Sequence, residues 1–187
     1  MSARHRTKLK ALPGSKGAIM KNKKIIRLAH GAMIAAVYAA ATYLCSVFAL
    51  AYGPIQFRIS EALTILSVFT PAAIPGLTIG CVLGNIASPF GVWDIIFGAL
   101  ATFLAAICAR KLRHITLKGF PVLSLLMPVI FNAVIVGLEI TFLMPSGGSK
   151  LTAFLISALE VGAGELAVCL AGGIPLYYAT KKLNIFK

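Results

Sequence analysis

Long apolar runs constrain this chain more than any other feature. They cover residues 28–51, 59–88, 92–109, 120–144 and 151–180, with little charge inside them. A run of 18 or more such residues matches the thickness of a bilayer's hydrocarbon core. Only 12% of the 187 residues are charged and 59% are hydrophobic, whereas a soluble domain carries about a quarter charged residues. The outer solvent of the fold is therefore lipid, and the fold class is all-α integral membrane, multi-pass in the cell membrane. The length is short for a secondary transporter built from paired repeats, and no internal duplication is visible.

The net charge of +13 would suit nucleic acid, but its distribution points elsewhere. Nine of the 18 basic residues lie within residues 1–27. Arg110, Lys111, Arg113 and Lys118 share one loop, and Lys181, Lys182 and Lys187 close the chain. Positive charge in such places marks the cytoplasmic side of a membrane protein, with anionic lipid as its natural partner. The segment 1–27 is expected to be a basic, disordered cytosolic tail, and residues 28–187 the transmembrane domain. Met20 opens a second plausible start. Ala49-Leu50-Ala51 resembles a signal-peptidase site, but the run before it exceeds the usual 7–15 residues or so, so a retained first span is expected.

Residues 59–88 contain Thr70-Pro71 and Pro75-Gly76 near their middle. These suggest a turn between two short spans, 59–70 and 74–88, with one kinked helix as the competing reading. Parity decides for six spans. With six, the tail, the 110–118 loop and the C-terminus all face the cytoplasm, and of the 18 basic residues only Arg58 and Lys150 lie outside. Five spans would violate the positive-inside rule at one end or the other.

The five acidic residues, Glu61, Asp94, Glu139, Glu160 and Glu165, all lie within or at the edge of a span. An ionised group at the bilayer centre costs about 2.5–3.5 kcal/mol on insertion scales and marks a functional site by default. Glu61, Asp94 and Glu139 sit toward the outer face, with Asn85, while Glu160 falls near mid-membrane. Arg58, Glu61, Asn85, Asp94, Glu139 and Glu160 can ring an outward-opening substrate pocket. Glu61 can instead simply pair with Arg58 at i, i+3, and Asp94 can simply cap its helix. Glu165 lies about 140° around the helix from Glu160 and nearer the cytoplasm, and is left out; Asn132 and Gln56 stay undecided. Such a pocket suits a neutral or cationic solute rich in N–H donors, because carboxylates accept hydrogen bonds strongly. Trp93, Phe57 and Tyr52 lie at the same level, to stack on a flat ring or to serve in the interfacial aromatic belt.

Ala32, Ala36 and Ala40 form a small-residue stripe on the first span, able to admit another helix closely or to serve packing within the bundle. The four cysteines fall in apolar runs without metal or redox spacing. No nucleotide-binding, hydrolase or metal motif is present, so no cofactor and no enzymatic activity are expected.

Three stretches carry a resemblance: Tyr52-Gly-Pro-Ile-Gln-Phe-Arg-Ile-Ser-Glu-Ala-Leu63, Phe69-Thr-Pro-Ala-Ala-Ile-Pro-Gly-Leu77 and Asp94-Ile-Ile-Phe-Gly-Ala-Leu-Ala-Thr102. Over residues 28–181 the chain resembles the QueT family of substrate-binding (S) components of energy-coupling factor (ECF) transporters. The resemblance implies a six-helix bundle that binds a queuosine precursor from outside. Candidates are 7-cyano- or 7-aminomethyl-7-deazaguanine, or queuine. It also implies docking on a membrane coupling (T) protein with two cytosolic ATPases, through the stripe around Ala32 and Ala36. The alternative is a stand-alone carrier, proton-coupled through Glu139, Glu160 and Glu165; a small membrane enzyme is a third class.

Overall fold

The computed structural model describes residues 15–48, 57–144, 148–183 and 185–186. These residues are helical in nearly all their length. The order is α1 (Ser15–Val47), a 3-10 helix (Ile59–Val68), α2 (Ala73–Gly84), α3 (Val92–Lys111), α4 (Val122–Leu143) and α5 (Lys150–Val168). A π turn at Cys169–Gly173 then joins α5 to α6 (Ile174–Leu183). Four helices are long and apolar enough to cross a membrane: Asn22–Val47, Val92–His114, Val122–Leu143 and the continuous Lys150–Leu183. Ile59–Val68 and Ala73–Ala87 are shorter apolar helices.

Helix α1 starts at Ser15, inside the segment expected to be an irregular tail. A helix nucleated in the apolar span extends readily through Lys- and Arg-rich sequence, since both are good helix formers. The split of residues 59–88 follows the turn residues. Pro71 lies in the turn after the 3-10 helix, the Thr70 hydroxyl accepts the Ala72 N–H at 3.3 Å, and α2 starts two residues after Pro71. Pro128 is accommodated inside α4, as proline often is in helices packed among membrane neighbours.

Consecutive helices from α1 to α5 pack side by side, and the 3-10 helix runs through their middle, touching α1 to α6 and the π turn. Its position explains its burial: Ser60, Glu61, Ala62, Thr64, Ile65, Leu66 and Ser67 are all buried, while Ile59 at its start is exposed. Three residues per turn eclipse side chains at i and i+3. Glu61, Thr64 and Ser67 therefore align along one edge, a polar ridge that α-helical spacing would spread around the axis.

Close approach of α1 and α2 rests on glycine. A Cβ added at Gly76 would meet the Gly31 carbonyl oxygen at 2.6 Å, and one at Gly80 would meet the Tyr38 Cβ at 2.7 Å. Gly84 repeats the contact against Thr42. The α1 face toward α2 thus carries Gly31, Ala35, Tyr38 and Thr42. Ala32, Ala36 and Ala40 stay exposed, the first two at the edge of the α1–α2 seam. At Gly76 the obstacle is backbone, which cannot rotate aside. Gly76→Ala is expected to destabilise the bundle by about 1–3 kcal/mol, read as a lower melting temperature in detergent, while Ala40→Leu, a good helix former at an exposed position, leaves it near wild type.

Candidate functional site

Two polar layers cross the bundle. The first lies where α3 begins. Arg58, just before the 3-10 helix, directs one guanidinium nitrogen at both carboxylate oxygens of Asp94, each at 3.0 Å. Both residues are buried, with 1% exposure. Asn85, at the end of α2, donates from Nδ2 to the Asp94 main-chain oxygen at 2.9 Å. Gly98, one turn below Asp94, leaves room for this cluster: a Cβ there would lie 2.5 Å from Asn85 Nδ2 and 3.5 Å from the Arg58 guanidinium. An ion pair this deep needs its compensation in place, because either charge alone would be stranded in an apolar interior.

The second layer centres on Glu61, which is fully buried. Its carboxylate accepts hydrogen bonds from the hydroxyls of Tyr38 on α1, Thr102 on α3 at 2.8 Å and Thr64 at 3.1 Å. Thr42 extends the network by donating to the Ser60 hydroxyl at 2.8 Å. Asp94, Gly98 and Thr102 stand at i, i+4 and i+8 on α3, so one helix face serves both layers.

The α4–α5 side is different. Glu139 is 4% exposed, and neither carboxylate oxygen has a hydrogen-bond partner among the described residues. It is the polar group of a cavity of about 510 Å³ between α3 and α4, walled by Trp93, Phe97, Leu138 and Phe142. Trp93 and Phe97 stack with centroids 6.1 Å apart. Asn132 and Glu165 are each 1% exposed, and all four of their side-chain polar atoms also lack partners.

The structure therefore brings Arg58, Asn85 and Asp94 into one contact cluster, with Glu61 in the layer below. It sets Glu139 apart on α4 with its acceptors free, and leaves Glu160 half-buried on α5. Glu165 is buried more completely than Glu160. Depth counted from the end of the span favoured Glu160; helical register favours Glu165, which follows the buried Ser157, Val161 and Gly164. That i, i+4 pattern of small and apolar neighbours was the available signal. Phe57 and Trp93 are exposed on the bundle surface. Tyr52 and Gln56 lie outside the described residues. Ala32 and Ala36 line a shallow groove of about 380 Å³ together with Gly31, Pro75 and Gly76.

Chemically, the Arg58–Asp94 and Glu61 groups are already engaged, whereas the buried oxygens of Glu139 have no partner among the described residues. A carboxylate beside aromatic rings is chemically suited to a flat solute with N–H donors. Removing one charge of the buried pair tests its structural weight. Arg58→Met is expected to cost about 3–5 kcal/mol by stranding Asp94, and Arg58→Met with Asp94→Leu to recover most of it, measured by thermal unfolding in detergent.

Comparison with known proteins shows the family. No solved structure matches the chain. The "Queuosine precursor transporter QueT" of Lactococcus lactis subsp. cremoris is 39% identical over 85 residues, which is 46% of this chain and 50% of that protein. The match thus spans half the length of this curated relative. A family model described as QueT transporter matches residues 28–182. With several bilayer-length apolar helices and that match over most of its sequence, the chain is a multi-pass cell-membrane protein that belongs to the QueT transporter family.

Proposed function

We propose that this chain is the substrate-binding (S) component of an ECF-type importer for a queuosine precursor, a 7-deazaguanine such as the 7-cyano or 7-aminomethyl base, or queuine. The observation that carries the reading is Glu139: a buried carboxylate with neither oxygen hydrogen-bonded among the described residues, on a residue that lines an aromatic-walled cavity in a QueT-family chain. A guanine-like edge offers a ring N–H and an amino group, which a carboxylate accepts in bidentate fashion. Glu139 and Glu160 supply acceptors, and Arg58, Glu61, Asn85 and Asp94 form the polar wall that holds the helices in register and meets the ring carbonyl.

In this reading all six helical segments cross the bilayer and both termini are cytoplasmic. The 3-10 helix gains reach from its rise of about 2.0 Å per residue, so ten residues extend about 20 Å. Local thinning of the bilayer accommodates the two short segments. The exposed Ala32 and Ala36 receive a helix of the coupling (T) protein, whose two cytosolic ATPases provide the energy that no motif in this chain provides. Anionic lipid neutralises the basic cytoplasmic face.

A thermal-shift titration of the purified protein with guanine, 7-cyano-7-deazaguanine, 7-aminomethyl-7-deazaguanine and queuine tests the reading. A saturable rise from at least one deazaguanine, but not guanine, is expected, and Glu139→Gln should weaken that ligand at least about tenfold, or about 1.4 kcal/mol. Unchanged affinity in the variant removes Glu139 from the site; no shift from any base in folded protein removes the substrate assignment. Ala36→Trp should leave binding intact and abolish uptake in cells. Uptake by the chain alone in liposomes would replace this reading with a stand-alone carrier.

A further inference from the structure

Three guanidinium groups come together where the 3-10 helix ends. Arg110, in the last turn of α3, donates from Nη1 to the main-chain oxygen of the buried Ser67 at 2.9 Å. Arg113 follows in the short 3-10 turn Leu112–His114 and donates from Nη1 to the Arg110 carbonyl at 3.3 Å. Arg27 arrives on α1, and it and Arg113 are the charged groups near enough to act on Arg110 electrostatically. The packing agrees. Both α1 and α3 lie against the 3-10 helix. Gly31, one turn after Arg27, sits on the turn that follows that helix: a Cβ there would meet the Ala72 main-chain oxygen at 3.3 Å.

No acid of the chain balances these charges. Its five acidic residues are Glu61, Asp94, Glu139, Glu160 and Glu165, and among the described residues only Arg58 and Asp94 form an ion pair. A guanidinium does not give up its proton in a protein, so the crowding cannot be relieved by titration. The C-terminus of α3 compensates in part, since its last carbonyls present about half a negative elementary charge. Three full positive charges exceed that several times over. Each guanidinium also carries five N–H donors, and the bonds to Ser67 and Arg110 engage one each on Arg110 and Arg113.

The surroundings indicate which anion fits. Arg27 is exposed and Arg110 and Arg113 are half-buried, so the cluster is reached from outside the bundle. Its neighbours in sequence are apolar and exposed: Leu28 at 75%, Ile115 at 54% and Leu117 at 66%. A small inorganic anion gains nothing from such neighbours, whereas a phospholipid brings a phosphate and hydrocarbon together. Planar guanidinium groups match phosphate oxygens with paired N–H donors. Basic pockets between transmembrane helices on the cytoplasmic side are known places for anionic headgroups.

We propose that Arg27, Arg110 and Arg113 form a discrete binding site for the phosphate of one anionic phospholipid, beside the C-terminal end of the 3-10 helix. The bound headgroup joins α1 to α3 across the helix that both of them touch, and so clamps the end of the central element. The site rests on the reading of this end as cytoplasmic and narrows the general lipid contact of that face to three residues. It is independent of the solute carried.

Native mass spectrometry of the full chain in detergent counts bound lipid with no solute present. Titrated with dioleoylphosphatidylglycerol, the wild type should retain one molecule at least about tenfold more tightly than dioleoylphosphatidylcholine, whose headgroup has no net charge. Arg27→Gln and Arg113→Gln should each weaken that molecule about fivefold, and the double variant about twenty-five-fold, with melting in lipid-free detergent near wild type. Lys181→Gln with Lys182→Gln removes the same charge elsewhere on the basic face and should leave the affinity near wild type. An equal loss in the lysine variant would overturn the proposal, since it would mean diffuse surface charge rather than a site. Unchanged affinity in the arginine double variant would overturn it too. Millimolar inorganic phosphate should fail to displace the lipid, and displacement would overturn the lipid as occupant. Should the double variant not fold, Arg27→Gln alone, at an exposed position, decides by the same fivefold criterion.

Discussion

Everything on the α1–α3 side of the bundle depends on satisfying one carboxyl group buried in an apolar interior. Polar groups placed there are costly unless they are hydrogen-bonded. Glu61 meets that demand with hydroxyls drawn from α1, α3 and its own 3-10 helix. The 3-10 geometry is part of the solution, because it stacks Thr64 directly above Glu61. Arg58 adds the balancing ion pair with α3, and Asn85 ties α2 to the same residue. Four elements are thereby fixed by polar bonds, and the glycines of α2 and α3 let them come close enough to make those bonds.

The α4–α5 side follows another logic. Its polar groups, Asn132, Glu139 and Glu165, have unoccupied atoms. The contrast is one of carboxyl groups: Glu61 and Asp94 are hydrogen-bonded on one side, and Glu139 and Glu165 have no partner among the described residues on the other. Glu139 is among the residues lining the aromatic-walled cavity, and Asn132 and Glu165 lie on the same two helices with their buried polar atoms likewise unpaired.

Individual residues show where sequence reasoning reached and where it stopped. The turn at Pro71 was legible because proline and threonine act locally, and the structure divides residues 59–88 there. The ion pair was half legible: the spacing offered a simple Arg58–Glu61 pair at i, i+3 as the alternative to a shared pocket, whereas Arg58 pairs with Asp94, 36 positions away. The i, i+3 rule needs helical backbone at both residues, and Arg58 is in extended backbone just before the 3-10 helix. Tyr38 and Thr102 drew no notice as single residues in apolar runs, yet they complete the Glu61 shell.

The sequence by itself determined the solvent, the class and the location of the charges. Hydrophobic runs of bilayer length and five acids confined to them are properties of composition along a line, and lipid enforces them whatever the packing. The family resemblance was likewise carried by contiguous residues. Only the tertiary structure decided which acids are engaged and which are free. That outcome depends on rotation about each helix axis and on contacts between distant segments, and a difference of five residues turns a side chain through about 140°. Glu165 is buried and Glu160 half-exposed for that reason, and the two faces of α1, one closed against glycine and one open with Ala32 and Ala36, were separated in the same way.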